Sequence, residues 1–201
     1  MNVIYISFSP YIAKFLRKEL SEKGKPIDIP ANLRSIRYWK SKGSGAYATQ
    51  SELRRKPTIR KLFTSALRIP GKQYPYYVPY ALAFSQEEYE SMPESDEKRD
   101  ELVPFLLPVT VPYGLTDIPT SPRTIMSQSG GEQVHRAFIH YFYEQFAEHL
   151  HRFQHECMET NQTFSVVEAI ARFSDIYDLT SCDQDAIRKQ YYRQRLNTKL
   201  L

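Results

Sequence analysis

The chain has 201 residues, of which 41% are hydrophobic and 13% aromatic, which is enough for a packed core and excludes disorder of the whole chain. Its net charge is only +4, but residues 1–80 carry 16 Lys/Arg against 4 Asp/Glu, whereas residues 81–120 carry 2 against 9. Two cysteines exclude a disulfide framework, no apolar run approaches the roughly 20 residues that span a bilayer, and the first residues lack the basic start of a secretion signal. We therefore expect a cytoplasmic protein with no membrane contact.

The first 30 residues predict a strand followed by a helix. Asn2–Phe8 is rich in β-branched and aromatic residues, which favour a strand. Ser9 and Pro10 match an N-cap and a first helical position, and Gly24 matches a helix end. Between them, apolar residues recur at helical spacing: Ile12, Phe15, Leu16 and Leu20.

Residues 40–61 differ in composition from their surroundings, because a Gly-Ser-Gly run is followed by a dense group of cations. We interpret this segment as an exposed loop or arm, ordered on binding. Cations interleaved with aromatic rings can pair with phosphates and stack on exposed bases. An ordinary basic surface loop would have a similar composition. The candidate nucleic-acid contacts here are Trp39, Lys40, Lys42, Arg54, Arg55, Lys56, Arg60 and Lys61.

Prolines determine the prediction for the middle of the chain. They recur in residues 74–84 and at every fourth position from Pro104 to Pro112, which excludes a helix and favours edge strands or extended chain. Between these two stretches, residues 86–101 are strongly acidic and are predicted to form a solvated loop or short helix.

The C-terminal part predicts three helices. Apolar residues at helical spacing indicate a long helix over residues 132–159, preceded by a glycine pair that is typical of a hinge and, less commonly, of an anion-binding nest. Ser165 and Glu168 match a capping box that opens a second helix, and a third extends over residues 183–198. The predicted fold class is α+β, with a basic α+β region at residues 1–116 and a bundle of three helices at residues 120–201.

The last helix carries five further candidate contacts. Two helices joined by a short turn, the second bearing cations, have the outline of a helix-turn-helix, in which the second helix enters the major groove. The turn, DLTSCD, contains no glycine, and cations near a helix C-terminus are also favoured by the helix dipole, so a solvated helix end remains the alternative. The residues are Arg188, Lys189, Tyr192, Arg193 and Arg195.

No enzymatic motif is present in the sequence. It contains neither a phosphate-binding G-x-x-x-x-G-K-[ST] nor a G-x-S-x-G nucleophile motif. His151, His155 and Cys157 lie on the long helix but lack the second motif that a metal site would need. We therefore predict no catalytic residues, no metal and no cofactor.

Two terminal stretches resemble a known group of proteins. The opening strand followed by SPYIAKFLRKEL and KPIDIP, together with the closing YYRQR, is similar to small uncharacterised proteins of phages and mobile elements of Bacteroidales. The similarity covers about the first 30 and last 70 residues and leaves out the basic arm. It implies a genetic context in which DNA handling is common, and no site residues.

These observations predict a non-enzymatic nucleic-acid-binding accessory protein of a phage or mobile element, with a role in replication, transposition or regulation. The nucleic acid would bind the arm and the last helix. The alternative is a protein-interaction or assembly component, in which the basic and acidic blocks pair within or between subunits, and a homo-oligomer is compatible with it.

Overall fold

The chain folds into two compact units, Met1–Phe142 and Tyr143–Leu201. The fold class is α+β, as predicted, with a three-stranded antiparallel sheet in the first unit and a helical C-terminal part. No helix in the described ranges is long and apolar enough to cross a membrane. The computed structural model describes residues 3–22, 24–34, 57–68, 78–107 and 125–198, with side chains as far as residue 193 except at residues 68 and 125.

The first unit combines short strands with helices. Its elements are β1 (Val3–Ser7), α1 (Pro10–Leu20), α2 (Ile59–Ala66), β2 (Leu67–Arg68), β3 (Ala83–Ser85), α3 (Gln86–Ser91), α4 (Lys98–Glu101), β4 (Leu102–Leu106), β5 (Ile125–Met126) and the first half of α5 (Gln128–Glu159). β1 lies between β3 and β4, and β2 pairs with β5. The predicted strand and the helix from Pro10 are confirmed. The helix ends at Leu20, before Gly24, which adopts a left-handed conformation at φ +76°.

β4 is an edge strand of the three-stranded sheet, as Pro104 predicted. It pairs with β1 in antiparallel register, so that Phe105 lies opposite Ile4. On its other side the carbonyl of Pro104 accepts a hydrogen bond from the backbone N–H of Ile27, and the N–H of Leu106 donates to the carbonyl of Ile27. The nitrogen of Pro104 points to this outer side, so its missing N–H removes no hydrogen bond from the sheet.

The core of the first unit is aromatic and lies on one face of this sheet. Phe105 projects from β4 towards α2 and α5, with its ring centroid 5.7 Å from that of Phe63 and 4.9 Å from that of Phe138. Phe15 of α1 packs edge-on against Phe142 at 5.1 Å. All five of these elements, β1, β4, α1, α2 and α5, therefore bury apolar side chains in one cluster, because each presents its hydrophobic face to the others.

The acidic segment 86–101 forms α3 and α4 and contacts the unit through its backbone and through the ring of Tyr89, which stacks on Tyr5. Ser85 and Glu88 form a capping box at the start of α3. The Arg17 guanidinium of α1 donates to the carbonyls of Arg99, Asp100 and Leu102, at 3.2, 2.9 and 2.7 Å. A basic residue of the first region thus binds the acidic segment, but it does so through carbonyl groups and leaves the carboxylate of Asp100 exposed.

The glycine pair at the start of the long helix permits close packing. Gly130 and Gly131 lie within the first turns of α5, so the hinge predicted before the helix is wrong. A Cβ on Gly130 would come within 2.6 Å of the Cβ of Ala66, and a Cβ on Gly131 would overlap the ring of Tyr80. Glycine is required at both positions because neighbouring elements approach the helix backbone directly.

The second unit consists of helices. The long α5 continues into it and is followed by α6 (Val166–Tyr177) and α7 (Ser181–Thr198), which confirms the three predicted helices. The predicted regions met near residues 117–119, which lie outside the described residues. The division into two compact units falls within α5, because its first half packs with the sheet and its second half, from Tyr143, packs with α6 and α7.

Two histidines of α5, His135 and His149, are partly buried in the fold. Burial lowers the pKa of His135, which stacks on Phe8 with ring centroids 4.7 Å apart. Burial also lowers the pKa of His149, whose Nε2 lies 3.1 Å from the carbonyl oxygen of Ala169. The folded protein therefore binds fewer protons at these side chains than the unfolded chain, in which the histidine pKa is about 6.5.

We expect the free energy of unfolding to fall as the pH is lowered through the range below about 6.5. Urea denaturation at about pH 7.5 and about pH 5.5 measures this dependence. The double substitution His135→Asn, His149→Asn should make it shallower, because the neutral amides do not take up protons in the unfolded state. A variant with the wild-type pH dependence would contradict the prediction.

Candidate nucleic-acid interface

The arm and the last helix, the two predicted contact surfaces, are described to different extents. Trp39, Lys40, Lys42 and the three cations at positions 54–56 lie outside the described residues. Arg60 and Lys61 belong to α2, so these two residues lie in a helix and not in the predicted loop. The physical reason is local, since the Oγ1 of Thr58 accepts the backbone N–H of Lys61 at 3.2 Å and caps the helix.

The guanidinium of Arg60 is partly used within the fold. Its Nη2 lies 3.5 Å from a carboxylate oxygen of Asp28, and its Nη1 donates to the carbonyl of Ile29 at 3.4 Å. Both partners are in the first unit, and the ion pair is partly exposed to solvent. Arg60 is consequently a weaker candidate for a phosphate contact than its place in a basic run indicated.

The turn between α6 and α7 has only three residues, Asp178, Leu179 and Thr180. Asp178 adopts the left-handed conformation, at φ 54°, that glycine often provides at this point of a turn. Leu179 then buries its side chain, and its N–H donates to the carbonyl of Ser174 at 2.9 Å. The absence of glycine in this turn is therefore no obstacle to a tight connection of the two helices.

α7 begins with a reciprocal cap that the sequence analysis missed. The backbone N–H and the hydroxyl of Thr180 both donate to Oδ2 of Asp183 at 2.9 Å, and the N–H of Asp183 donates back to Oγ1 of Thr180 at 3.3 Å. Asp183 is buried by these contacts. The signal was present as Thr-x-x-Asp, a variant of the usual capping box. This cap and the buried Ile187 determine which face of α7 is exposed.

The exposed face of α7 is acidic near its start and basic further along. Asp185 is exposed in the second turn, and no acidic residue follows it to the end of the chain. We define the α7 basic face as the exposed residues Arg188, Lys189, Tyr192 and Arg193. Arg195 lies in the same helix, but its side chain is outside the described part.

The basic face contrasts with the charge of the unit to which it belongs. Residues 143–201 contain 7 Lys/Arg and 9 Asp/Glu, so the second unit has a net negative charge. Arg188 pairs with Asp185 at 2.8 Å, whereas Lys189 and Arg193 have no ion-pair partner within the described residues. Attraction of a polyanion to this unit would therefore depend on the local α7 basic face and not on its overall charge.

Aromatic rings connect the basic face to the core of the second unit. Tyr191 packs edge-on against Phe146, with centroids 6.3 Å apart, and Tyr192 packs edge-on against Tyr191 at 5.4 Å. Tyr191 also lines a cleft of about 570 Å³ together with residues of α5, such as Leu150, and with Phe164, which precedes α6. Tyr192 is thus supported on one side by a ring that is itself anchored in the core.

The histidines of the long helix do not assemble a metal site in the described part of the chain. His155 pairs with Glu159, one turn further along, at 3.3 Å. Cys157 is buried in a cluster with Phe153 and Ala169. Among the residues for which positions are given, no three His, Cys, Asp or Glu side chains are grouped in a way that would hold a metal ion.

No protein-family model, no curated protein and no solved structure matches this chain.

Proposed function

We propose that this protein binds nucleic acid without acting on it chemically, and that the α7 basic face is a contact surface. The observation that carries the proposal is the grouping of exposed cations with Tyr192 on one face of a helix in a unit that is otherwise acidic. Lys and Arg in such an arrangement pair with phosphates and release counterions, which supplies most of the sequence-independent affinity of nucleic-acid-binding proteins.

The biological setting is also part of the proposal. An accessory role in the replication, transposition or regulation of a phage or mobile element, in the cytoplasm, is supported by the resemblance of the terminal segments. The basic arm at residues 40–61 would add a second contact, through Arg54, Arg55 and Lys56, because its cations and aromatic residues have the composition of a phosphate-binding segment.

The double substitution Lys189→Gln, Arg193→Gln tests the contact surface. We expect weaker binding to all sequences and a shallower dependence on salt, because each lost phosphate contact lowers the slope of log K against log salt by roughly 0.7–0.9. Two lost contacts should lower it by about 1.5. Fluorescence anisotropy with a labelled oligonucleotide, between about 50 and about 200 mM salt, measures both quantities.

Arg152→Gln provides a control for the removal of charge. Arg152 is exposed on α5 in the same unit, so this change removes one cation away from the basic face. An equal loss of affinity per removed charge in the control and in the double variant would mean that binding follows net charge and that α7 is not the site. Absence of binding to any single strand or duplex at about 50 mM salt would refute the proposed function itself. Loss of binding only on neutralising Arg54, Arg55 and Lys56 would assign the contact to the arm.

A further inference from the structure

We infer that the nucleic acid bound by the α7 basic face is single-stranded, and that one of its bases stacks on the ring of Tyr192. This inference rests on the proposed function and narrows it to a class of partner. It differs from the helix-turn-helix interpretation of the sequence, in which α7 would enter the major groove of a duplex. Three observations favour the single strand: the exposure and support of Tyr192, the positions of the cations around it, and the chemistry of the first half of α7.

Tyr192 is an exposed aromatic ring that core packing does not explain. Its side chain remains 45% exposed, although it lies on a helix whose opposite face buries Ile187 completely. The edge-on contact with Tyr191 supports one side of the ring, with the two ring planes at 71°. A ring supported in this way loses less conformational freedom when a flat base stacks on it than an unsupported ring would.

Cations share the exposed face of α7 with Tyr192. Arg188, which is paired with Asp185, and Lys189 precede Tyr192 by four and three residues, so they share its face one turn earlier, and Arg193 is its neighbour on the exposed surface. Lys189 and Arg193, which form no ion pair within the described ranges, are available for phosphates. Aromatic rings that stack on bases, surrounded by cations that follow the backbone, are the usual combination in single-strand binding.

The first half of α7 is poorly suited to reading a duplex. A helix that recognises DNA in the major groove contacts base edges through residues near its N-terminus. In α7 this end exposes Ser181, Cys182 and Asp185, and no Lys or Arg occurs between Thr180 and Ile187. The carboxylate of Asp185, which is paired with Arg188, would lie on the side of the helix that faces the phosphates next to the groove. The cations and the exposed ring are in the second half of the helix. When a helix binds in the major groove through its N-terminal residues, this second half lies further from the bases.

Binding to an oligonucleotide of about 20 nucleotides and to the same sequence as a duplex tests the inference, with the full chain and three proteins: wild type, Tyr192→Leu and Tyr192→Phe. We expect the wild type to bind the single strand more tightly than the duplex. Tyr192→Leu should lower affinity for the single strand about tenfold, the scale of one stacked base, while Tyr192→Phe, which keeps the ring, should stay within about twofold.

Tyr192→Trp supplies a direct readout of stacking. Its fluorescence should be quenched by the single strand beyond the change seen in the wild type, which contains one tryptophan. Tighter binding to the duplex, with Tyr192→Leu unaffected and no added quenching, would overturn the inference and leave the proposed function intact. Failure of the wild type to bind either oligonucleotide would overturn both. Because Tyr192 is exposed, circular dichroism should show all three variants folded like the wild type.

Discussion

Replacing Phe138 with alanine is expected to lower the free energy of unfolding by about 3–5 kcal/mol, a large part of the roughly 5–15 kcal/mol of a typical domain. The side chain of Phe138 is fully buried, with Phe8 edge-on at 5.9 Å and Phe105 at 4.9 Å. Truncation removes the apolar surface and leaves a cavity among rings that α5 and the sheet hold in place. Urea denaturation followed by circular dichroism measures the loss.

Phe138→Leu is the matched control for this cavity. Leucine fills most of the space, so we expect a loss of about 1–1.5 kcal/mol. If the alanine variant lost no more than the leucine variant, the cluster between α5 and the sheet would not carry the stability that its burial indicates.

Phe173→Ala should destabilise the second unit by a comparable amount, about 3–5 kcal/mol. Phe173 of α6 is buried against Phe146 of α5, with ring centroids 5.1 Å apart, and against His149 at 5.3 Å. The loss should also weaken nucleic-acid binding, because Phe146 contacts both Phe173 and Tyr191, and Tyr191 supports Tyr192. Denaturation and oligonucleotide binding, measured on the same variant, test the two consequences.

Ile176→Ala is the control for Phe173→Ala, because it truncates an apolar side chain of the same helix that is exposed and not buried. Ile176 follows Phe173 by three residues, but its side chain is 49% exposed, so we expect a change of about 0.5 kcal/mol and unchanged binding. Similar losses in the two variants would show that α6 does not pack on α5 through the face that buries Phe173. Normal binding by a fully folded Phe173→Ala protein would also contradict the link between this core and Tyr192.

The features predicted from the sequence are those whose causes lie within a few residues. The stripe that includes Phe138, Phe146 and Phe153 predicted the long helix, because apolar residues at a period of 3.6 can share a face only in a helix. Pro104 likewise predicted an edge strand, because a missing N–H is tolerated only where no neighbouring strand needs it.

The features that were missed have two origins. α2 begins inside the predicted arm and has a local signal, since Thr58 caps it and Ile59, Phe63 and Ala66 recur at helical spacing, but the density of cations in this segment led to the prediction of a loop. Other features depend on distant contacts: Arg17 is one of the 16 cations in residues 1–80, yet it binds carbonyls more than 80 residues away in sequence. The division into two units within α5 was also missed, since a single apolar stripe does not show that its two halves pack with different partners.

The sequence by itself determined that this chain is α+β, that its last third forms three helices, and that cations are concentrated in the arm and the last helix. Only the tertiary structure decided which of the described cations remain available. Arg60 is paired with Asp28 and Arg188 with Asp185, whereas Lys189 and Arg193 surround an exposed Tyr192. The physical reason is that a charge count records how many cations a segment carries, whereas their partners and exposure follow from the packing of whole elements.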